Sequence, residues 1–289
     1  MNVNLQDVGA GTAPVGFTPL RPATRLDSVA NAALTAAARF WFVVAVVGQW
    51  LFACYVTAVY GGAALRGDWE AWNKILPRGL MAGDPFGNVT LAVHLLLAAV
   101  ITVGGPLQLV PHIRTYAPSF HRWNGRLYVL TAFTMSASGL YMLLTRGTVG
   151  DVSQHTAIGL NAALIMLCAA LAWRNALARE FAAHRRWALR LFLAVSGVWF
   201  FRVGLMLWLV VNRRPAGFDP ATFQGPFLTF LAFAQFLLPL AVLELYLRAR
   251  DRAGVQGRIA MAAALSVLTV AMAVGIVGAV MGMWLPRLR

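Results

Sequence analysis

Negative charge is what this sequence has least of: ten Asp and Glu residues stand against 24 Lys and Arg among 289, a formal net charge of +14. Lysine is nearly missing too, since Lys74 is the only one and the positive charge is almost all arginine. Only 12% of residues are charged and 60% are hydrophobic, with a mean hydropathy of +0.68. A soluble globular domain is about half apolar and about a quarter charged, so this shortage of charge excludes that class. A surplus of arginine in a soluble chain would point to nucleic acid. Here the arginines cluster in loops beside hydrophobic runs, and no nucleic-acid partner is expected. Cysteine is equally scarce: Cys54 and Cys168 both fall inside hydrophobic runs, without CxxC or Cys/His metal spacing, and read as packing residues. No G-x-x-x-x-G-K-[ST], H-E-x-x-H or G-x-S-x-G segment occurs, which removes the phosphate-loop, zinc-protease and nucleophile-elbow chemistries. Glu244 is the only acid inside a hydrophobic run, which argues against a proton- or cation-coupled transporter.

What is present is apolar length. Seven hydrophobic spans can be drawn, at about 39–60, 89–111, 123–145, 155–174, 187–211, 226–248 and 258–284. About 20 apolar residues suffice for a helix to cross a bilayer, and in lipid the backbone must satisfy its own hydrogen bonds. The expectation is an all-α, polytopic membrane helix bundle of about seven transmembrane helices. Residues 39–289 form one membrane domain, with a four-helix core (spans two to five, 89–211) made of two related hairpins. Residues 1–38 are polar, without a compact apolar region near their start. That argues against a cleaved signal peptide and reads as a mobile cytoplasmic tail, with a helix from about Asp27 as an option. Fifteen basic residues fall on the side of the tail and eight on the other. The bias toward positive loops inside the cell then puts the N-terminus in the cytoplasm and the C-terminus in the periplasm, for a multi-pass protein of the inner membrane. Gly104-Gly105-Pro106 interrupts the second span and predicts a kink or a close helix contact. In the loop after the first span, Trp69, Trp72 and Ile75 recur at helical spacing before Pro77. They read as an interfacial anchor or as a cap over an outer-face site.

The two hairpins show in a repeated motif. Phe120-His121-Arg122-Trp123-Asn124-Gly125-Arg126 has an echo in His184-Arg185-Arg186-Trp187-Ala188-Leu189-Arg190. Each copy runs histidine, tryptophan, arginine, and each follows an upstream histidine, His94 or His155. Spans two and four run the same way, so His94 and His155 share the outer side, while His121 and His184 share the inner side. Haem iron takes two axial imidazoles, and facing helices of a bundle can supply one each. The residues four positions after the histidines are Ala98, Gly125, Gly159 and Ala188. All are small and lie on the same helical face as their histidine, which leaves room for a flat macrocycle or for a helix contact. Alternatively the histidines brace helices, cap helix starts or meet lipid phosphate.

Arg122, Arg126, Arg185, Arg186 and Arg190 form an inner-face patch suited to anionic membrane lipid. Arg126 and Arg190 are the two placed to pair with carboxylates of a cofactor. Arg202 stands alone inside the fifth span, ten residues before Asn212, and is expected near an anionic ligand or a haem propionate of the outer pair.

These residues resemble a family of bacterial membrane proteins, domain of unknown function family 2306. The likeness rests on His94 with Gly105-Pro106-Leu107-Gln108, on His121-Arg122-Trp123-Asn124-Gly125-Arg126-Leu127-Tyr128, on Ser138-Gly139, and on Ala183-His184-Arg185-Arg186-Trp187 with Arg190. Ala188 stands where the family pattern has methionine. In layout the chain also resembles the ascorbate-dependent two-haem cytochrome b family, whose four consecutive helices pair haem ligands between alternate helices. That resemblance implies haem b held by His94 with His155 and by His121 with His184, the inner pair lying closer to the membrane edge than the pattern wants. The expectation is an electron-transfer protein, with quinone or another redox protein as partner. The alternative is a non-redox membrane protein that binds anionic lipid or assists assembly of another complex.

Overall fold

The computed structural model describes residues 25–76 and 78–288. Residues 1–24, most of the expected tail, lie outside them, as does Pro77. Among the described residues every regular element is helical, apart from an isolated bridge between Asp219 and Gln224. Helix α1 (Arg25–Val56) continues through a π-turn at Thr57–Gly61 into α2 (Gly62–Leu65), and a 3-10 turn follows at Trp69–Lys74. Then come α3 (Pro85–Leu109), the short α4 (Pro111–Tyr116), α5 (Pro118–Thr145) and α6 (Val152–Leu177). The chain ends with α7 (Phe181–Val195), α8 (Gly197–Asn212), α9 (Pro226–Arg252) and α10 (Val255–Ala279), whose last turns run to Arg287. Six helices are long and apolar enough to cross a membrane, and α7 with α8, bent by 52°, make a seventh if counted as one span.

The helices overrun their hydrophobic runs because their starts are built from capping residues. Pro85, Pro118 and Pro226 occupy the first turn of α3, α5 and α9, where a missing N–H loses nothing. The side chains of Asp84 and Asp151 accept the N–H of Gly87 and Gln154, satisfying donors the helix cannot. Helix α1 begins at Arg25, so residues 25–38 are helical, the option read for this stretch from about Asp27. Its buried Leu34 and Ala37 pack on Ala262 and Leu265 of α10.

The fifth span breaks at Ser196. Asn161 Nδ2 donates to the Ala194 carbonyl (3.3 Å), the Ser196 hydroxyl donates to Phe192 O (2.7 Å), and Gln49 Nε2 donates to Ser196 Oγ (2.9 Å). A break inside a bundle is sustained by side chains that take up backbone groups: Asn161 and the Ser196 hydroxyl each reach a backbone carbonyl, and Gln49 holds that hydroxyl in place.

Helices α3, α5, α6 and α7 meet in one buried cluster: Ile101, Tyr128, Ala132, Cys168, Ala169 and Leu191. This is the four-helix core of spans two to five. Helix α3 packs on α5, α5 on α6, and α6 on α7; α1, α8 and α10 form a second group, and α9 lies against α6, α7 and α8. Cys168 is buried as expected, but Cys54 is exposed on α1.

Candidate functional site

The Gly-Gly-Pro segment makes a close helix contact while α3 remains helical through it. A Cβ on Gly105 would lie 3.0 Å from the Tyr128 ring and 3.2 Å from Phe192, and one on Gly104 would lie 3.0 Å from Asn124. Asn124 Nδ2 donates to Gly104 O (3.0 Å) and Gln108 Nε2 to His121 O (3.1 Å). The motifs Gly105-Pro106-Leu107-Gln108 and His121–Tyr128 are thus the two sides of one α3–α5 lock. Gly125 is spent in it, since its Cβ would meet Gln108 at 3.3 Å. Gly159, beside His155, faces open space instead.

At one end of the core His121 and His184 stand in the first turns of α5 and α7. His184 Nδ1 lies 2.9 Å from Ala172 O. A carbonyl only accepts, so Nδ1 carries the proton and Nε2 keeps its lone pair. His121 Nδ1 is buried with no partner. The repeat is reproduced in space: Arg126 stacks on Trp123 at 4.9 Å and Arg190 on Trp187 at 4.6 Å. Arg126 has no acid partner among the described residues. Arg190, expected to meet a cofactor carboxylate, already has an acid of its own: it pairs with Glu244 at 2.7 Å, because α7 packs on α9. Arg186 pairs likewise with Asp251 (2.8 Å).

At the other end His94 Nδ1 lies 2.7 Å from Ser138 Oγ, whose own proton goes to Met135 O (3.1 Å). The ring therefore donates from Nδ1 and leaves the Nε2 lone pair free. A Cβ on Gly139 would lie 3.5 Å from His94 Cε1. Ser138 fixes the imidazole, and Gly139 lies against its edge at ordinary contact distance. Beside it a crevice of about 390 Å³ opens between α3, α5 and α6, lined among others by Leu91, Gly139, Met142, Arg146, Thr148 and Ile158. That is within the usual size of a cofactor pocket, about 300–1,000 Å³. His155 Nε2 donates to Thr148 O at 3.2 Å, at the edge of the same crevice. His94 and His155 share no hydrogen bond; α3 packs chiefly on α5, and α6 chiefly on α7 and then on α5, rather than on each other.

The crevice's cations are not the expected ones. Arg202 is absent from its lining because α8, turned at the Ser196 bend, packs on α10 and places Arg202 over Phe52 of α1. Arg78 and Arg146 stand there instead. Arg146, 3% exposed, donates to Asp84 Oδ2 (2.7 Å), Asn88 Oδ1 (2.7 Å) and Gly79 O (2.8 Å), and Arg78 donates to the Arg146 carbonyl. The Gly87 N–H, then the Arg146 guanidinium, hold the Asp84 carboxyl below its ordinary range. Nothing in the sequence marks Arg146 as the partner of Asp84, 62 positions away. Trp72 is neither an interfacial anchor nor part of the crevice lining: it is buried, and its Nε1 donates to Tyr60 O at 3.1 Å.

A protein-family model described as predicted membrane protein (DUF2306) matches residues 91–238. That stretch is 148 of 289 residues, just over half of the chain. The chain belongs to this family. The matched stretch runs from the third turn of α3 into α9 and holds the four-helix core, all four paired histidines and the Ser138-Gly139 pair. Within the DUF2306 stretch the motif residues thus divide between a helix lock and the seats of two imidazoles. No curated protein and no solved structure matches the chain.

Proposed function

We propose that the protein carries electrons in the membrane by binding b-type haem in its four-helix core. The observation that carries this reading is His94: a histidine inside a membrane span, its Nδ1–H given to Ser138, its Nε2 lone pair free, beside a crevice of about 390 Å³. Imidazoles that ligate metals are held in this way, through the other ring nitrogen. His184, with Nδ1–H on Ala172 O, has the same arrangement, and the unpartnered Nδ1 of His121 is a buried polar atom awaiting a partner. His155 fits less directly, since its Nε2 must first leave Thr148 O.

In this reading His94 and His155 hold the outer group and His121 and His184 the inner one. Haem b supplies one-electron chemistry when bound. Arg126, at the inner end, and Arg78, at the crevice, offer guanidinium groups for propionates; Arg146 is already committed to Asp84. Quinone or a redox protein is the expected partner. A non-redox reading is favoured by one observation: Arg122, Arg126 and Arg185 have no acid partner among the described residues and suit anionic headgroups. Protein purified from haem-replete cells separates the two. The electron-transfer reading expects the sharp visible band of low-spin bis-histidine haem to appear on reduction; a colourless protein that takes up no added haem rejects it.

A further inference from the structure

Two arginines outside the histidine core meet one aromatic cluster of α1 and the C-terminal turns. Arg202 of α8 lies 5.2 Å from the centre of the Phe52 ring and donates one hydrogen bond, to Val198 O of its own helix (3.1 Å). Arg287, past the end of α10, reaches the Tyr55 hydroxyl at 3.4 Å. Phe52 and Tyr55 stack on each other at 6.3 Å, so the two guanidinium groups meet adjoining rings of α1. No carboxylate among the described residues pairs with either arginine. Trp284 packs on Phe52 (5.4 Å) and Tyr55 (6.0 Å). It is 2% exposed, and its indole N–H has no partner. Trp199, one turn before Arg202 in the same buried cluster, also has an unpartnered indole N–H.

Like charges brought together in apolar surroundings are unfavourable unless an anion joins them, and a buried donor without an acceptor is unfavourable in its own right. The ligand that answers both is an anion with more than two oxygens. Phosphate meets that need, and guanidinium forks match it bidentately. Depth narrows the choice. Arg202 stands about 15 Å along the helix from Asn212, at about 1.5 Å per residue, below the level where a freely soluble anion is at home.

We propose that Arg202 and Arg287 together hold the phosphate group of a lipid beside the aromatic cluster of Phe52, Tyr55 and Trp284. The site is independent of any haem and is built partly from α1 and the C-terminal turns, outside the stretch matched by the family.

Thermal unfolding of the full chain in a neutral detergent tests this with three probes: phosphatidic acid, diacylglycerol with the same acyl chains, and inorganic phosphate. Phosphatidic acid is expected to raise the melting temperature and the other two are not. The rise is expected to be lost in Arg202→Gln and in Arg287→Gln and kept in Arg214→Gln, an exposed cation outside the cluster. Should Arg202→Gln fail to fold, Arg287→Gln decides alone, being at the exposed end. An equal rise with diacylglycerol would mean that acyl chains suffice, and an equal rise with inorganic phosphate would mean a soluble anion site. Either result overturns the proposal, as does a full rise retained in the foldable arginine variants.

Discussion

At the scale of single residues, the chemistry turns on which nitrogen of each imidazole is free. In the proposed reading Ser138 is a positioning residue: it accepts from His94 Nδ1 and so leaves Nε2 as the ring's free nitrogen. Loss of such a partner weakens metal ligation about ten- to a hundredfold. Ser138→Ala is therefore expected to weaken haem uptake by about that factor in a titration and to shift the midpoint potential, with Ser138→Thr restoring both. A variant indistinguishable from wild type in both readouts would leave Ser138 a packing residue. The Ser138-Gly139 pair was visible in the sequence as part of a motif, but its role was not, because the partner lies 44 positions away on another helix. The same distance problem hid the pairing of Arg190 with Glu244, 54 positions apart. A sequence identifies a charge readily; it does not say whether the protein has already neutralised it.

At the scale of helices, starts and close contacts follow from local rules. The Gly-Gly-Pro contact was legible, since it needs only small side chains at the crossing. The bend at Ser196 was not legible, for no proline marks it and side chains of α1 and α6 sustain it. Two consequences follow. Gly275 packs so closely that a Cβ there would lie 2.5 Å from the backbone oxygen of Val203. Gly275→Leu is expected to separate α8 from α10 and to cost about 1–3 kcal/mol, read as a lowered unfolding midpoint in detergent. An unchanged midpoint would contradict the packing. The second consequence concerns acid. Asp84 has a depressed folded-state pKa, first through the Gly87 N–H and then through Arg146. Its contribution is complete above the ordinary carboxylate value, about 4, and is lost as pH falls through the depressed value below that. Asp84→Asn should therefore unfold at lower temperature than wild type near neutrality, and the difference should shrink in strong acid. A gap independent of pH would show that the carboxylate's ionisation is not what matters.

For the whole molecule, the count of crossings depends on the bent pair α7–α8. Taken as one span it gives seven crossings and puts the termini on opposite faces; taken as a re-entrant element it leaves six and puts them on one face. With seven, the arginine bias puts the N-terminus in the cytoplasm. Reporter fusions decide between them: a periplasm-active enzyme is expected to work at the C-terminus and not at the N-terminus, and activity at both or at neither would contradict the seven-span arrangement. The bundle as a class was legible from hydropathy alone, and so was the four-helix core, because its two hairpins repeat a motif. Which helices flank which was not legible, since α8 leaves the core for α1 and α10 only after the bend, taking Arg202 with it.

The central claim is that histidines of the core hold haem in pairs, and it is tested most directly by the haem content and reduced-minus-oxidised spectrum of four single variants. The account predicts that His94→Ala and His155→Ala remove one and the same spectral component, and that His121→Ala and His184→Ala remove the other. Four variants that all keep the wild-type spectrum and haem content, or a wild-type protein that binds none, would contradict it.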